Sequence, residues 1–130
     1  MSTRCQIRIK NEYQQYDVYH HHDGYPEGVG AALKEYCKKL PSGTWSSWNP
    51  NRIVNDLVKG AIQEVLAGQT QPDMGYDISF GFHTDIEYAY LIDCEKKTLE
   101  CYEVSWKEDY EDLTDIFNRA KVVEIPSNTN

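Results

Sequence analysis

Tyr16-Asp17-Val18-Tyr19-His20-His21-His22-Asp23-Gly24-Tyr25-Pro26-Glu27-Gly28-Val29-Gly30-Ala31-Ala32-Leu33-Lys34-Glu35-Tyr36-Cys37 changes its period halfway along, and that change decides the fold. Residues 16–22 read as a strand, bounded by turn-forming residues. Asp23-Gly24-Tyr25 breaks it, and Pro26 suits the first position of a helix. From there Val29, Ala32, Leu33, Tyr36, Cys37 and Leu40 recur at helical spacing, which predicts a helix over 26–40 with one buried stripe. Lys34, Lys38 and Lys39 fall on its other face, and Pro41-Ser42-Gly43 stops it.

Upstream, Cys5-Gln6-Ile7-Arg8-Ile9-Lys10 alternates apolar and polar, a strand that pairs with 16–22 as a hairpin. Downstream, Asn49 caps a second helix with Pro50 at its first position. Its stripe is Ile53, Val54, Leu57, Val58, Ala61, Ile62 and Val65, ending at Gly68. After a polar loop come strands over 76–83, 87–94 and 99–106. In the first, Tyr76, Ile78, Phe80 and Phe82 share a face. The other two are apolar on both faces, which favours an oligomer interface on one side, since an exposed antiparallel face should be polar. A last helix over 108–120 begins acidic (Glu108, Asp109, Glu111, Asp112) and ends at Arg119 and Lys121. That polarity complements the helix dipole, with Ser105 and Glu108 as a capping box. The order β-β-α-α-β-β-β-α describes an α+β fold: a five-stranded, mostly antiparallel sheet with helices packed on one face. One domain spans 1–125, with 126–130 a frayed tail.

Net charge is −8, and it is uneven. Residues 1–68 hold eight Lys and Arg against seven Asp and Glu, while residues 69–130 hold five against fourteen. Duplex nucleic acid is excluded as a partner of the acidic half, because phosphate binding needs clustered cations. Acidic residues serve solubility, or form a surface for a basic protein partner. No apolar run approaches the roughly 18 residues of a membrane span, and Met1–Gln6 lacks a signal-peptide core. The expected location is the cytoplasm, that of the host if the chain is phage-encoded. Cys5, Cys37, Cys94 and Cys101 include no C-x-x-C pair, so zinc and redox roles have little support. Cys5 and Cys37 read as small core residues, and all four are expected reduced.

The segment His20 to Gly30 is the candidate site. On a strand, His20 and His22 project together and His21 the other way. An H-x-H pair can ligate a transition metal, with Asp23 or with His83 and Asp85 completing the set. Alternatively, Gly24 and Gly28 at a strand-to-helix turn leave free N–H groups for an anion, with His20, His21, His22, Asp23 and Tyr25 beside them. Glu27 and the missing N–H of Pro26 count against that reading. Trp45 and Trp48, in a Ser/Thr loop, are candidates for partner contact or for closing the core. No nucleophile motif is present, and no cofactor is implied.

Residues 1–40, and above all the H-x-D-G-Y-P-E pattern carried by His21, Asp23, Gly24, Tyr25, Pro26 and Glu27, resemble a family of small proteins of phages and of bacterial genomes carrying mobile elements. An aromatic residue is commoner there where this chain has His22. The resemblance implies context rather than chemistry: compact, often oligomeric accessory proteins that neutralise host components, including defence proteins or their nucleotide messengers. The resulting expectation is a non-enzymatic, homo-oligomeric, phage-type binding protein that sequesters a small anionic, nucleotide-like ligand or a host protein. The alternative is a metal-dependent hydrolase using His20, His22, Asp23, His83 and Asp85.

Overall fold

In a computed structural model, which describes residues 3–40, 48–59 and 76–126, the protein is an α+β fold on one mixed sheet. Strand β1 (Cys5–Lys10) and strand β2 (Gln15–His20) form the expected antiparallel hairpin. A π-helical turn (Pro26–Gly30) leads into helix α1 (Ala31–Lys38), and helix α2 follows (Pro50–Lys59). Then come β3 (Asp77–Ser79), β4 (Tyr88–Asp93), β5 (Thr98–Glu103), helix α3 (Leu113–Arg119) and β6 (Lys121–Val123). The sheet order is β3-β2-β1-β4-β5-β6, antiparallel throughout except for β1 beside β4. Among the described residues no helix is long and apolar enough to cross a membrane.

Local chemistry accounts for most boundaries. Asn49 Oδ1 accepts the amide of Asn51 at 2.9 Å and caps α2. Asp93 Oδ1 accepts the amides of Glu95 and Lys96, closing the β4–β5 turn that Lys97 completes at φ 56°. Cys5, Ile7 and Ile9 alternate inward beneath Val29, Leu33, Ile53 and Leu57, so α1 and α2 close one face of the sheet. The four cysteines are free; three are buried and Cys37 packs half-buried against this core.

Four expectations change. The sheet has six strands, because Lys121–Val123 adds an edge strand too brief to show a period. Strand β3 is three residues long: Tyr76 is buried, but Ile78 is half exposed and Phe80 is 99% exposed, so the predicted four-residue apolar face does not form. Val58, assigned to the stripe of α2, is exposed; Ala61, Ile62, Val65 and Gly68 lie outside the described residues. The helices cover both faces, not one. Leu113 and Ile116 of α3 pack on Tyr19, Ala89 and Tyr102, so the second apolar face is covered within the chain and no longer argues for an oligomer interface.

The last helix also starts later than predicted. Its cap is Asp112, whose carboxylate accepts the Asp115 amide at 2.8 Å. Ser105 instead makes a local turn, its Oγ taking the Lys107 amide and its carbonyl the Glu108 amide. Glu108 and Asp109 therefore precede the helix, and the dipole does not account for them.

Candidate functional site

Beyond His20 the chain turns through Asp23, in the left-handed region at φ 55°, and Gly24, where a Cβ would lie 2.9 Å from both Cys5 Cβ and the Thr3 carbonyl. The Gly24 amide donates to Thr3 O at 2.9 Å, and its carbonyl accepts the buried Tyr90 hydroxyl at 2.7 Å. In the turn that follows, Val29 N donates to Asp23 O (2.8 Å) and Gly28 N to Tyr25 O (3.0 Å). A Cβ on Gly28 would sit 2.4 Å from Asp23 O. The glycines thus let the chain pack on itself, and the amides expected to meet an anion are engaged by chain carbonyls. Tyr25 hydroxyl donates to Asp23 Oδ1 at 3.0 Å, and Glu27 is exposed, so the outer surface of the junction presents carboxylates.

The histidines are distributed as a strand requires. His20, 2% exposed, stacks on Tyr76 at 4.1 Å in the core. His21 points the other way, edge-on to Tyr19 at 4.7 Å. His22 lies past the end of β2, with its ring 6.1 Å from that of His21, so the alternation that would pair it with His20 has stopped.

His83 and Asp85 belong to the segment that carries the chain from β3 to β4 across the α3 face. Gln6, fully buried, tethers it: Nε2 donates to Gly81 O and Oε1 accepts the His83 amide, both at 2.9 Å. The His83 ring stacks on Tyr19 at 3.9 Å. Ser79 Oγ accepts from Gln6 Nε2 and lies within hydrogen-bond distance of Gly81 O at 2.9 Å and of His83 Nε2 at 3.1 Å. Asp85 Oδ2 accepts the Tyr19 hydroxyl at 3.0 Å and lies 3.3 Å from Arg4 Nε, an ion pair by distance whose angle falls short of a hydrogen bond. Burial, with the Asp85 hydrogen bond, pushes the Tyr19 phenol up to about 12. The proposed hydrolase set is consequently split between the core and the opposite face. Among the described residues no three His, Cys, Asp or Glu side chains are placed to share a metal ion.

Where this segment meets residues 103–110, a cleft of about 500 Å³ opens. Asp85, Glu87, Glu103, Glu108 and Asp109 line it, with no Lys or Arg among its lining residues. Arg4 balances Asp85, and Arg119 lies 3.5 Å from Glu108. Glu87, Glu103 and Asp109 make no ion pair among the described residues. The Tyr88 phenol is raised by burial first, then by Glu103 and Cys101, with Glu27 and Glu87 adding to them. Trp106 stands at the rim, 87% exposed, with Lys107 Nζ 5.4 Å from its ring centre. Sequence reasoning offered the acidic half as a surface for a basic partner but did not single out this cleft, because it placed Trp106 on a strand face and Glu108 and Asp109 in a helix. The legible signal was a tryptophan embedded in Glu103-Val104-Ser105-Trp106-Lys107-Glu108-Asp109.

Of the two loop tryptophans, Trp48 is half-buried against the α1/α2 core; Trp45 lies outside the described residues. Comparison of the chain with family models, curated proteins and solved structures found no match.

Proposed function

We propose that this is a non-enzymatic binding protein that engages a protein partner through the acidic cleft, taking a basic segment of that partner between Glu87, Glu103 and Asp109 and against Trp106. The observation that carries this reading is a cleft lined, among the described residues, by five carboxylates and no cation, three of those carboxylates outside any ion pair there, beside a tryptophan left in solvent. An exposed indole is a strong anchor once covered, and it attracts Lys or Arg to its face. The resemblance of residues 1–40 to small phage and mobile-element proteins supports a host protein as the partner, in the host cytoplasm. A small anion at the His20–Gly30 junction has less support, because the amides there are engaged and Asp23 and Glu27 flank it.

Calorimetric titration with an arginine-rich peptide tests the reading. We expect binding that weakens with added salt, since the charges involved are exposed. The triple variant Glu87→Gln, Glu103→Gln, Asp109→Asn should weaken it by about tenfold or more, the order expected for losing several charge contacts. Equal affinity of the variant, or no binding of any basic peptide, would overturn it.

A further inference from the structure

The α1/α2 face carries a second opening, of opposite character. Between α1 and the β5–β6 edge lies a groove of about 450 Å³, a size usual for small-molecule sites. Cys37, Leu99, Val123 and Ile125 make an apolar floor, and Trp48 stands at its side. Lys34, Lys38 and Lys97 surround it. Three of the thirteen cations of a chain with net charge −8 thus gather at one apolar groove.

Two acids, Glu100 and Glu124, also line it. Glu100 alternates with Leu99 and Cys101, and its carboxylate accepts the Tyr102 hydroxyl at 3.1 Å on the opposite face of the sheet. Glu124 is exposed between half-buried Val123 and buried Ile125. Lys34 donates one N–H to Ile125 O at 2.9 Å, which leaves two donors and holds the ammonium at the rim. Among the described residues Lys38 pairs with Glu35 alone, at 3.7 Å and exposed, and Lys97, held in the β4–β5 turn, makes no ion pair. The groove combines an aromatic side chain, an apolar floor and a rim on which three lysines outnumber two carboxylates.

We infer that this groove binds a small aromatic anion: a ring system seated on the floor beside Trp48, with a carboxylate or phosphate at Lys34, Lys38 and Lys97. The site is separate from the acidic cleft and does not depend on it. It places a small anionic ligand on the α1 side of the molecule, away from the helix entrance.

Two matched probe pairs test it by calorimetry: adenosine 5′-monophosphate against adenosine, and 1-naphthoate against 1-naphthalenemethanol. In at least one pair the anion should bind about tenfold tighter than its neutral counterpart, the worth of one charge-assisted hydrogen bond. Preference confined to the first pair identifies a nucleotide-type phosphate ligand; preference confined to the second identifies an aryl carboxylate. The variant Lys34→Gln, Lys38→Gln, Lys97→Gln should lose the preference. Because Lys34 also holds Ile125, the double variant Lys38→Gln, Lys97→Gln serves as a second test and should reduce it at an unchanged melting temperature. Absence of any anion preference in the native protein, or its persistence in both variants, would overturn the inference. The Glu87, Glu103, Asp109 variant should leave it unchanged, which separates its outcome from that of the acidic cleft.

Discussion

The two faces of the sheet are held by different means. Under α1 and α2 the contacts are apolar side chains in a continuous layer, with all four cysteines among them. Under α3 a smaller apolar cluster is completed by polar side chains that reach long distances along the chain. Arg8, 9% exposed, donates to both Asp17 oxygens (2.9 and 3.2 Å) and to Thr114 Oγ1 (2.7 Å), and lies over the Phe117 ring. Gln6 ties down the β3–β4 connection in the same manner. A two-turn helix and an irregular segment bury too little apolar area to hold their positions unaided, so fixed hydrogen bonds between specific partners locate them.

The largest effect that separates the faces is an alkaline one. Burial holds the thiols of Cys37, Cys94 and Cys101 up at about 12, and that of Cys5 higher. The unfolded chain deprotonates near the ordinary thiol value of about 8.5. A folded-state value raised in this way contributes stability that is complete below that pH and lost as pH climbs toward the folded-state values. We expect melting temperature to hold up to about pH 8.5 and to fall steadily above it. Maleimide labelling of Cys5, Cys94 and Cys101 should stay slow until unfolding begins, and rapid labelling of these three in folded protein at neutral pH would contradict their burial in the core.

Next in size is Arg8→Met, read by denaturant unfolding. It strands the Asp17 carboxylate, only 17% exposed, opposite its lost partner, and should cost about 3 kcal/mol. The double variant Arg8→Met, Asp17→Leu should recover most of that loss, since an apolar pair of similar volume replaces the buried ions. If the double variant is as unstable as the single one, the α3 face is held by packing and the contrast between the faces disappears.

The smallest effect sharpens where α3 begins. Asp112→Ala removes the cap and should cost about 1 kcal/mol, whereas Ser105→Ala and Glu108→Gln should each change stability by less than about 0.5 kcal/mol. The reverse ranking would return the acidic stretch to the helix and weaken the case for the cleft.

How much of this was legible follows from the range of each signal. The β1–β2 hairpin, the stripe of α1, the cap of α2 and the β4–β5 hairpin rest on residues a few positions apart, and each appears in the sequence. The split of His20 from His21 across two faces was legible for the same reason. The cap of α3 was misplaced because Ser105-x-x-Glu108 and Asp112-x-x-Asp115 are both plausible starts. The Arg8–Thr114 bond, between residues 106 positions apart, selects the second by docking the helix on β1. The parallel pairing of β1 with β4 and the Gln6 tether likewise join distant segments and leave no local mark.

The sequence by itself determined an α+β chain with a strand-turn-helix near its start, a core-facing Cys5 and an acidic second half, because periodicity, caps and charge are local properties. Only the tertiary structure decided what the His20–Gly30 junction is and where binding surfaces lie. It engaged the junction's amides with carbonyls of the same chain. It also brought Asp85, Glu87, Glu103 and Asp109 around one cleft, and Lys34, Lys38 and Lys97 around one groove. Clefts form between segments, and no reading along one segment can contain them.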